Sequence, residues 1–317
     1  MSKVTSMISS DHVDRLRRDF GGEIKVNEPM KLHTSFQIGG CADLLVVPKD
    51  VADLKAVILF AKNEALPIMF IGNGTNLLVS DNGIRGIVVK ISNTLDHIVY
   101  DNNHVTVGVG ASLPAFIRKC ATLGLSGLQY AAGIPGTVGG AVAMNAGAYG
   151  VSVGELVEEV KAISLSGEEV TLRGDEIGFS LRTSRLLDGD LVAYEVKFVL
   201  EEGCPMDIEA QINEYMKVRR EKQPLHLPSA GCAFKNPTGG GAGRYIDQAG
   251  LKGMRVGDAE VSPIHANFIV NTGDAKACDV IELMNIVTEK VKGEYGVELF
   301  PEVRIIGDFL DDKSNSS

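Results

Sequence analysis

Two glycine-rich segments constrain this chain more than any other feature. One is Gly72-Asn-Gly-Thr-Asn-Leu-Leu78, which follows directly on the apolar run Pro67-Ile-Met-Phe-Ile71. The other is Gly133-Ile-Pro-Gly-Thr-Val-Gly-Gly140, continued by Asn145-Ala-Gly-Ala-Tyr-Gly150. Glycine lets the backbone approach a ligand closely, and consecutive amides can form an anion-binding nest. The stretch Ala131 to Gly150 has small residues, little charge and weak periodicity, and neither glycine segment reads as long and apolar enough for core or charged enough for a free linker. A single glycine-rich turn is as well explained by a tight loop. Two in one chain favour a large, flat, pyrophosphate-bearing cofactor. The glycine excess, 36 of 317 residues, exceeds the average of about 7%.

Several other nucleotide sites lose support. There is no G-x-x-x-x-G-K-[ST], no strict G-x-G-x-x-G after a strand and no H-E-x-x-H. The 41 acidic and 31 basic side chains give a net charge of −10, which disfavours nonspecific nucleic-acid binding because phosphate neutralisation needs a basic surface. An anionic small molecule stays open, provided a few cations converge. The cysteines Cys41, Cys120, Cys204, Cys232 and Cys278 are widely spaced and odd in number, against a disulfide framework or zinc ribbon, and no metal site is expected. No apolar run approaches the roughly 18–20 residues of a membrane span, and the N-terminal residues lack a signal peptide's apolar centre. A cytoplasmic protein without membrane insertion is expected.

The length predicts two or three domains. Val51, Leu54, Ile58 and Ala61 share one face of a helix over Asp50–Ala65. Strands are expected at Pro67–Ile71, Gly86–Ile91, Leu156–Leu165, Glu169–Leu172 and Leu191–Leu200, with a hairpin about Asp101-Asn-Asn103. Leu113–Leu123 reads as a helix, with Ser112 as N-cap and Gly124 as stop. Pro205–Gln223 is a further helix, and a boundary falls between Glu202 and Pro228. The last third alternates: strand near Cys232–Lys235, helix near Arg244–Ala249, strand Val261–Val270, helix Ala275–Lys292, strand Val297–Ile306. The polar end, Asp311 to Ser317, reads as disordered.

Beyond the glycine segments, Asn27-Glu-Pro-Met-Lys-Leu-His-Thr34, Ile38-Gly-Gly40, Leu181-Arg-Thr-Ser184, Pro228-Ser-Ala-Gly-Cys-Ala-Phe-Lys-Asn-Pro237, Ile246-Asp-Gln-Ala-Gly-Leu-Lys-Gly253 and Pro301-Glu-Val-Arg-Ile-Ile-Gly307 stand in one order. In these motifs the chain resembles the UDP-N-acetylenolpyruvoylglucosamine reductase family over about residues 25–307. The resemblance implies an α+β protein: a two-part FAD-binding module of the vanillyl-alcohol-oxidase (PCMH) type, then a C-terminal α/β substrate domain. The corresponding segments are residues 1–95 and 96–203 for the two FAD-binding subdomains, 204–307 for the substrate domain and 308–317 for a tail. The final strand, Val303–Gly307, is expected to return toward the flavin.

The implied reaction reduces UDP-N-acetylglucosamine enolpyruvate to UDP-N-acetylmuramate for peptidoglycan, with NADPH as co-substrate. Hydride reaches the enolpyruvyl methylene carbon, and the neighbouring carbon must then be protonated. Such a step needs charge or hydrogen bonds at the carboxylate, a proton donor on the correct face, and reactants held in register. The resemblance assigns Arg182, Cys232 and Glu302 as catalytic. Alone, Arg182 would read as a surface ion-pair partner, Cys232 as a small buried hydrophobe and Glu302 equally as half of a structural ion pair. Cys232 stands where the family usually has serine, and Leu181 where a tyrosine commonly precedes the arginine. A mostly protonated thiol can still donate.

For noncovalent FAD the implied contacts are Gly72, Asn73, Gly74, Thr75, Asn76, Leu77, Gly133, Ile134, Pro135, Gly136, Gly139, Gly140, Asn145 and Gly147. Ile38-Gly-Gly-Cys41 offers no histidine for a covalent flavin link. Lys222, Asn236 and Gln248 match positions contacting the substrate. Their competing readings are a solvated basic face for Lys222 and helix capping for the other two. Two alternatives remain: another FAD-dependent oxidase or dehydrogenase of the same cofactor fold, and a non-catalytic binder of flavin or nucleotide sugar.

Overall fold

The computed structural model describes residues 6–308; the expectation for the tail beyond Asp308 lies outside them. Helix α1 (Ser10–Asp19) starts with a reciprocal cap, Ser9 accepting from the His12 amide and the His12 ring from the Ser9 amide. It was not foreseen in the sequence. Val13, Leu16 and Phe20 carry it onto Leu54, Val57 and Ile58 of α2 (Val51–Asn63), which Asp50 caps through the Asp53 amide.

The first sheet contains β1 (Glu23–Pro29), β2 (Cys41–Val47), β3 (Ile68–Ile71) and β5 (Ile84–Lys90), in the order β1-β2-β5-β3, while β4 (Leu77–Val79) lies outside it. β1 runs antiparallel to β2; β2 and β3 run parallel to β5. Alternate residues of a strand point to opposite faces, and here both faces are buried. Leu44, Val46, Ile87 and Val89 enter the large core. Ala42, Leu45, Ile84 and Val88 join a separate core with Met30, Ile71 and Val79. Burial on two sides explains why β2 and β5 read as continuous apolar runs.

The second sheet is antiparallel. Hairpin β6 (Ile98–Asp101) and β7 (His104–Gly108) leads to α3 (Leu113–Thr122), β8 (Leu125–Ser126), α4 (Val138–Ala143), β9 (Gly147–Ala148) and β10 (Val151–Ser152). Then come β11 (Val157–Ser164), β12 (Glu169–Arg173), β13 (Leu191–Val199) and β14 (Glu201–Glu202). Its order is β12-β11-β13-β7-β6, with β8–β14 and β9–β10 as small separate pairs. Ser112 stands at the N-cap of α3, as expected, but its side chain makes no capping bond. A correction applies to Ala131–Gly150: Ala131, Ala132, Val138, Ala141, Val142 and Ala146 are buried in the large core. Small side chains let this segment pack tightly without the bulk that marks an ordinary core run.

Helix α5 (Pro205–Lys222) buries Ile208 and Ile212. It leads to β15 (Ser229–Cys232), α6 (Ala242–Gln248), β16 (Arg255–Val256), β17 (Ala259–Val261), β18 (Phe268–Asn271) and α7 (Ala277–Tyr295). The strands form an antiparallel sheet in the order β15-β18-β17-β16. Three strand expectations are corrected here. Val261–Val270 is two antiparallel strands, β17 and β18, because Pro263 lacks an amide donor and the Ser262 hydroxyl draws in the Ile264 and His265 amides. Cys232 ends β15 rather than beginning a strand. The expected Val297–Ile306 strand reduces to an isolated antiparallel bridge between Pro301 and Phe234 and to β19 (Arg304–Ile306). β19 leaves the third sheet and pairs in parallel with β4.

Candidate active site

The two glycine segments meet. Thr75 Oγ1 donates to the Pro135 carbonyl at 3.1 Å. A Cβ on Gly72 would lie 2.5 Å from Thr137 Oγ1, and one on Gly136 3.1 Å from Thr75 Oγ1. Gly74, at φ +62°, crosses so near His33 that a Cβ would sit 2.3 Å from its carbonyl oxygen. Thr137 caps α4 by accepting from the Gly140 amide at 3.1 Å. Gly139 packs on Val109 and donates to its carbonyl at 2.8 Å. Among the described residues, the amides of Asn73, Gly74, Thr75, Asn76, Gly136 and Thr137 donate to no protein acceptor. Unpaired amides converging from two loops fit a cofactor diphosphate, and the missing Cβ atoms leave it room.

Other residues of the expected cofactor set hold this frame. Asn73 accepts from Ser92 Oγ. Asn76 Nδ2 donates to the Glu302 carbonyl at 3.1 Å, and Leu77 lies in the β4–β19 ladder. Ile134 packs against the large core. Gly133 lies under Arg219, whose Nη1 donates to its carbonyl. Asn145, at φ +41°, bonds the Ser180 carbonyl through Nδ2 and the Gly154 amide through Oδ1, both at 2.9 Å. Gly147 allows the close β9–β10 turn, where a Cβ would stand 2.8 Å from the Val151 carbonyl oxygen.

The expected catalytic residues come from three distant parts of the chain and converge. Arg182 sits in a tight turn closed by bonds between Ser180 and Thr183, in the left-handed region at φ +58°. Such a conformation is uncommon for a residue with a side chain. Buried Ser184 pins the turn to the Ala143 carbonyl at 2.8 Å. Arg182 Nε then meets Glu302 Oε1 at 3.0 Å. Glu302 is positioned by its own amide, which donates to the Ala233 carbonyl at 2.8 Å, while the Lys235 amide donates to Phe300 at the same distance. These bonds run the Glu302 segment alongside the chain leaving Cys232. Leu181 projects into solvent, 81% exposed.

Burial pushes the Cys232 thiol up to about 11, and the charge of Glu302 adds to the rise, while Arg182 and Arg219 oppose it. Burial also raises the Glu302 carboxyl, against Arg182 and then Lys235. The thiol is therefore a proton-bearing group at neutral pH. A cation, a carboxylate and a protonated thiol side by side can hold an anionic substrate and deliver a proton.

The expected substrate residues lie at helix ends. Lys222 is exposed at the last residue of α5. Asn236 Oδ1 accepts from the Ala242 amide at 3.0 Å, so it performs the competing role, closing the N-terminus of α6. Gln248 is exposed at the end of that helix. Arg219 was not singled out in the sequence, where it is one of three basic residues in Arg219-Arg-Glu-Lys222. Helical phase alone does not say which of them turns inward. No cluster of His, Cys, Asp and Glu fit to hold a metal ion occurs among the described residues. No helix among them is long and apolar enough to cross a membrane.

Comparison with known proteins gives concordant results. Residues 42–173 match a family described as FAD binding domain. Residues 223–306 match UDP-N-acetylenolpyruvoylglucosamine reductase, C-terminal domain. A UDP-N-acetylenolpyruvoylglucosamine reductase of Caldanaerobacter subterraneus subsp. tengcongensis is 42% identical over 93% of this chain and 98% of its own. UDP-N-acetylenolpyruvoylglucosamine reductase 2 of Symbiobacterium thermophilum is 45% identical over 90% of this chain and 93% of its own. The crystal structure of the Thermus caldophilus reductase superposes with a TM-score of 0.76 at 36% identity, covering 90% of this chain and 98% of that one. The α+β fold, with its FAD-binding domain and the C-terminal domain that follows, thus belongs to a chain of the UDP-N-acetylenolpyruvoylglucosamine reductase family.

Proposed function

We propose that this FAD-dependent oxidoreductase uses NADPH to reduce UDP-N-acetylglucosamine enolpyruvate to UDP-N-acetylmuramate, a cytoplasmic step in peptidoglycan precursor synthesis. The observation that carries the reading is the Arg182–Glu302 pair, 3.0 Å apart, set beside the Cys232 segment and tied through Asn76 to the glycine cradle. Residues 1–95 and 96–203 form the cofactor module in this reading, and 204–307 the substrate domain.

The glycine loops hold the FAD diphosphate through their free amides, without a covalent link. When bound, FAD supplies the hydride chemistry between NADPH and the enolpyruvyl double bond. Arg182 holds the substrate carboxylate as negative charge grows on it; a guanidinium stays charged throughout. Cys232 gives its proton to the carbon beside that carboxylate. Glu302 keeps Arg182 in place and, through its own charge, helps to keep the Cys232 proton on sulfur until that step. Lys222 and Gln248 reach the substrate from the ends of α5 and α6. Asn236 joins them with the Nδ2 group left free by its capping bond.

An anaerobic absorbance titration tests the reading. NADPH should bleach the yellow flavin, and UDP-N-acetylglucosamine enolpyruvate should restore it. Bleaching without recovery would remove the substrate assignment. Denaturation should release the flavin; retained flavin would contradict noncovalent binding.

A further inference from the structure

Arg219 stands out among the half-buried arginines. Arg15 has Glu64, Arg85 has Asp43 and Arg182 has Glu302. Among the described residues Arg219 has only the Gly133 carbonyl, reached through Nη1. Its Nε and Nη2 have no acceptor there, and neither is sealed from solvent, so both open onto accessible space. The side chain is nevertheless firmly placed. A Cβ on Gly133 would lie 2.5 Å from Arg219 Cδ and 3.0 Å from Met216 Sδ. One turn earlier on the same helix face, Tyr215 stacks against Tyr149, with ring centroids 4.7 Å apart. The groups whose charges Arg219 feels are Tyr149, Cys232 and Arg182, and no carboxylate is among them.

Counting charge across the cluster sharpens the point. Arg182 and Glu302 cancel, and the Cys232 thiol is neutral. Lys235, which is exposed, lies in the field of Glu302. Arg219 is left as a placed positive charge without a counter-ion, and burial of an uncompensated cation is costly. An incoming monoanion would repay that cost.

We propose that Arg219 is a second substrate-holding guanidinium, sharing with Arg182 the carboxylate of the enolpyruvyl group. The assignment rests on the reduction proposed above. Two guanidiniums on one carboxylate match a reaction in which that group gains charge before Cys232 protonates the adjacent carbon. Because Arg219 also bonds Gly133, the carboxylate and the cofactor loop share one anchor.

Calorimetric titration of oxidised, FAD-loaded enzyme tests this with two ligands. UDP-N-acetylmuramate carries the lactyl carboxylate; UDP-N-acetylglucosamine has the same diphosphate without it. Arg219→Gln should weaken UDP-N-acetylmuramate about 10-fold or more, as expected for loss of a charge-assisted bond, and leave UDP-N-acetylglucosamine unchanged. Arg219→Lys should recover part of the loss, with every variant compared at full FAD occupancy. Unchanged affinity for both ligands would overturn the assignment. So would equal weakening of both, which would place Arg219 on the diphosphate or in loop support. If the wild type itself bound no UDP-N-acetylmuramate, the reduction reading would fall and take this assignment with it.

Discussion

In the loops Gly72–Asn76 and Gly133–Thr137 the groups left for a ligand are backbone amides. Around Glu302 they are side chains: a guanidinium, a carboxylate and a thiol. The first region owes its shape to what is absent, since a Cβ at Gly72 or Gly74 would collide within 2.5 Å. The second owes its properties to what surrounds it, since burial raises both the Cys232 thiol and the Glu302 carboxyl while the charge of Arg182 opposes each rise. A backbone site tolerates no added bulk but is insensitive to pH. A side-chain site can be altered atom by atom and responds to pH strongly.

That contrast can be broken by separating the half-reactions. The largest effect is expected for Cys232→Ala, which should slow flavin reoxidation by the sugar nucleotide about 10²–10⁴-fold, the usual worth of a positioned proton donor, with flavin reduction by NADPH nearly intact. Stopped-flow absorbance measures both, and equal loss in both would remove Cys232 as donor. Arg182→Lys should cost about 10²–10³-fold in the same half-reaction, because an ammonium cannot present the planar fork. Gly74→Ala should act the other way, lowering FAD content after purification while flavin that stays bound retains its reoxidation rate. The smallest effect is expected for Thr75→Ala. Losing its bond to Pro135 removes about 1 kcal/mol, and equilibrium titration of FAD into apoenzyme should show a several-fold weaker affinity.

The pH profile sharpens the same comparison. With its thiol at about 11, Cys232 keeps its proton through the neutral range. Reoxidation should therefore stay level and decline only as pH approaches that value, and Cys232→Ser should abolish the decline. FAD affinity should show no matching limb. The folded thiol also holds its proton more tightly than an unfolded cysteine, whose pKa is about 8.5. Its contribution to stability is full below that value and is lost as pH rises through about 11.

Local signals explain most of what was legible beforehand. Helix α2 was readable from the spacing of Leu54, Ile58 and Ala61, and the β6–β7 hairpin from Asp101-Asn-Asn103. The motif residues Arg182, Cys232 and Glu302 could be named, but their meeting rests on long-range pairings that no window of sequence contains. The break in Val261–Val270 was missed because apolar residues flank Ser262-Pro263 on both sides. The burial of Ala131–Gly150 was missed because hydrophobicity scales reward size, whereas this segment packs by being small. Arg219 was hidden by its neighbours Arg220 and Lys222, which share its charge but are exposed.

The parallel pairing of β19 with β4 carries a consequence for how the molecule is made. Arg304 pairs with Leu77 and Ile306 with Val79, so the pairing that follows Glu302 and brings it to the cradle bridges a separation of more than two-thirds of the chain. Contacts of such long sequence separation form late, after shorter-range structure has reduced the loop to be closed. During synthesis the cofactor module can assemble its sheets while residues beyond 300 are still being added. Catalytic competence must wait for them. A nascent chain stopped just before Glu302 would be nearly complete in mass and lack the carboxylate that pairs with Arg182, and in the proposed reading the final strand would act as the latch that turns a folded binder into an enzyme.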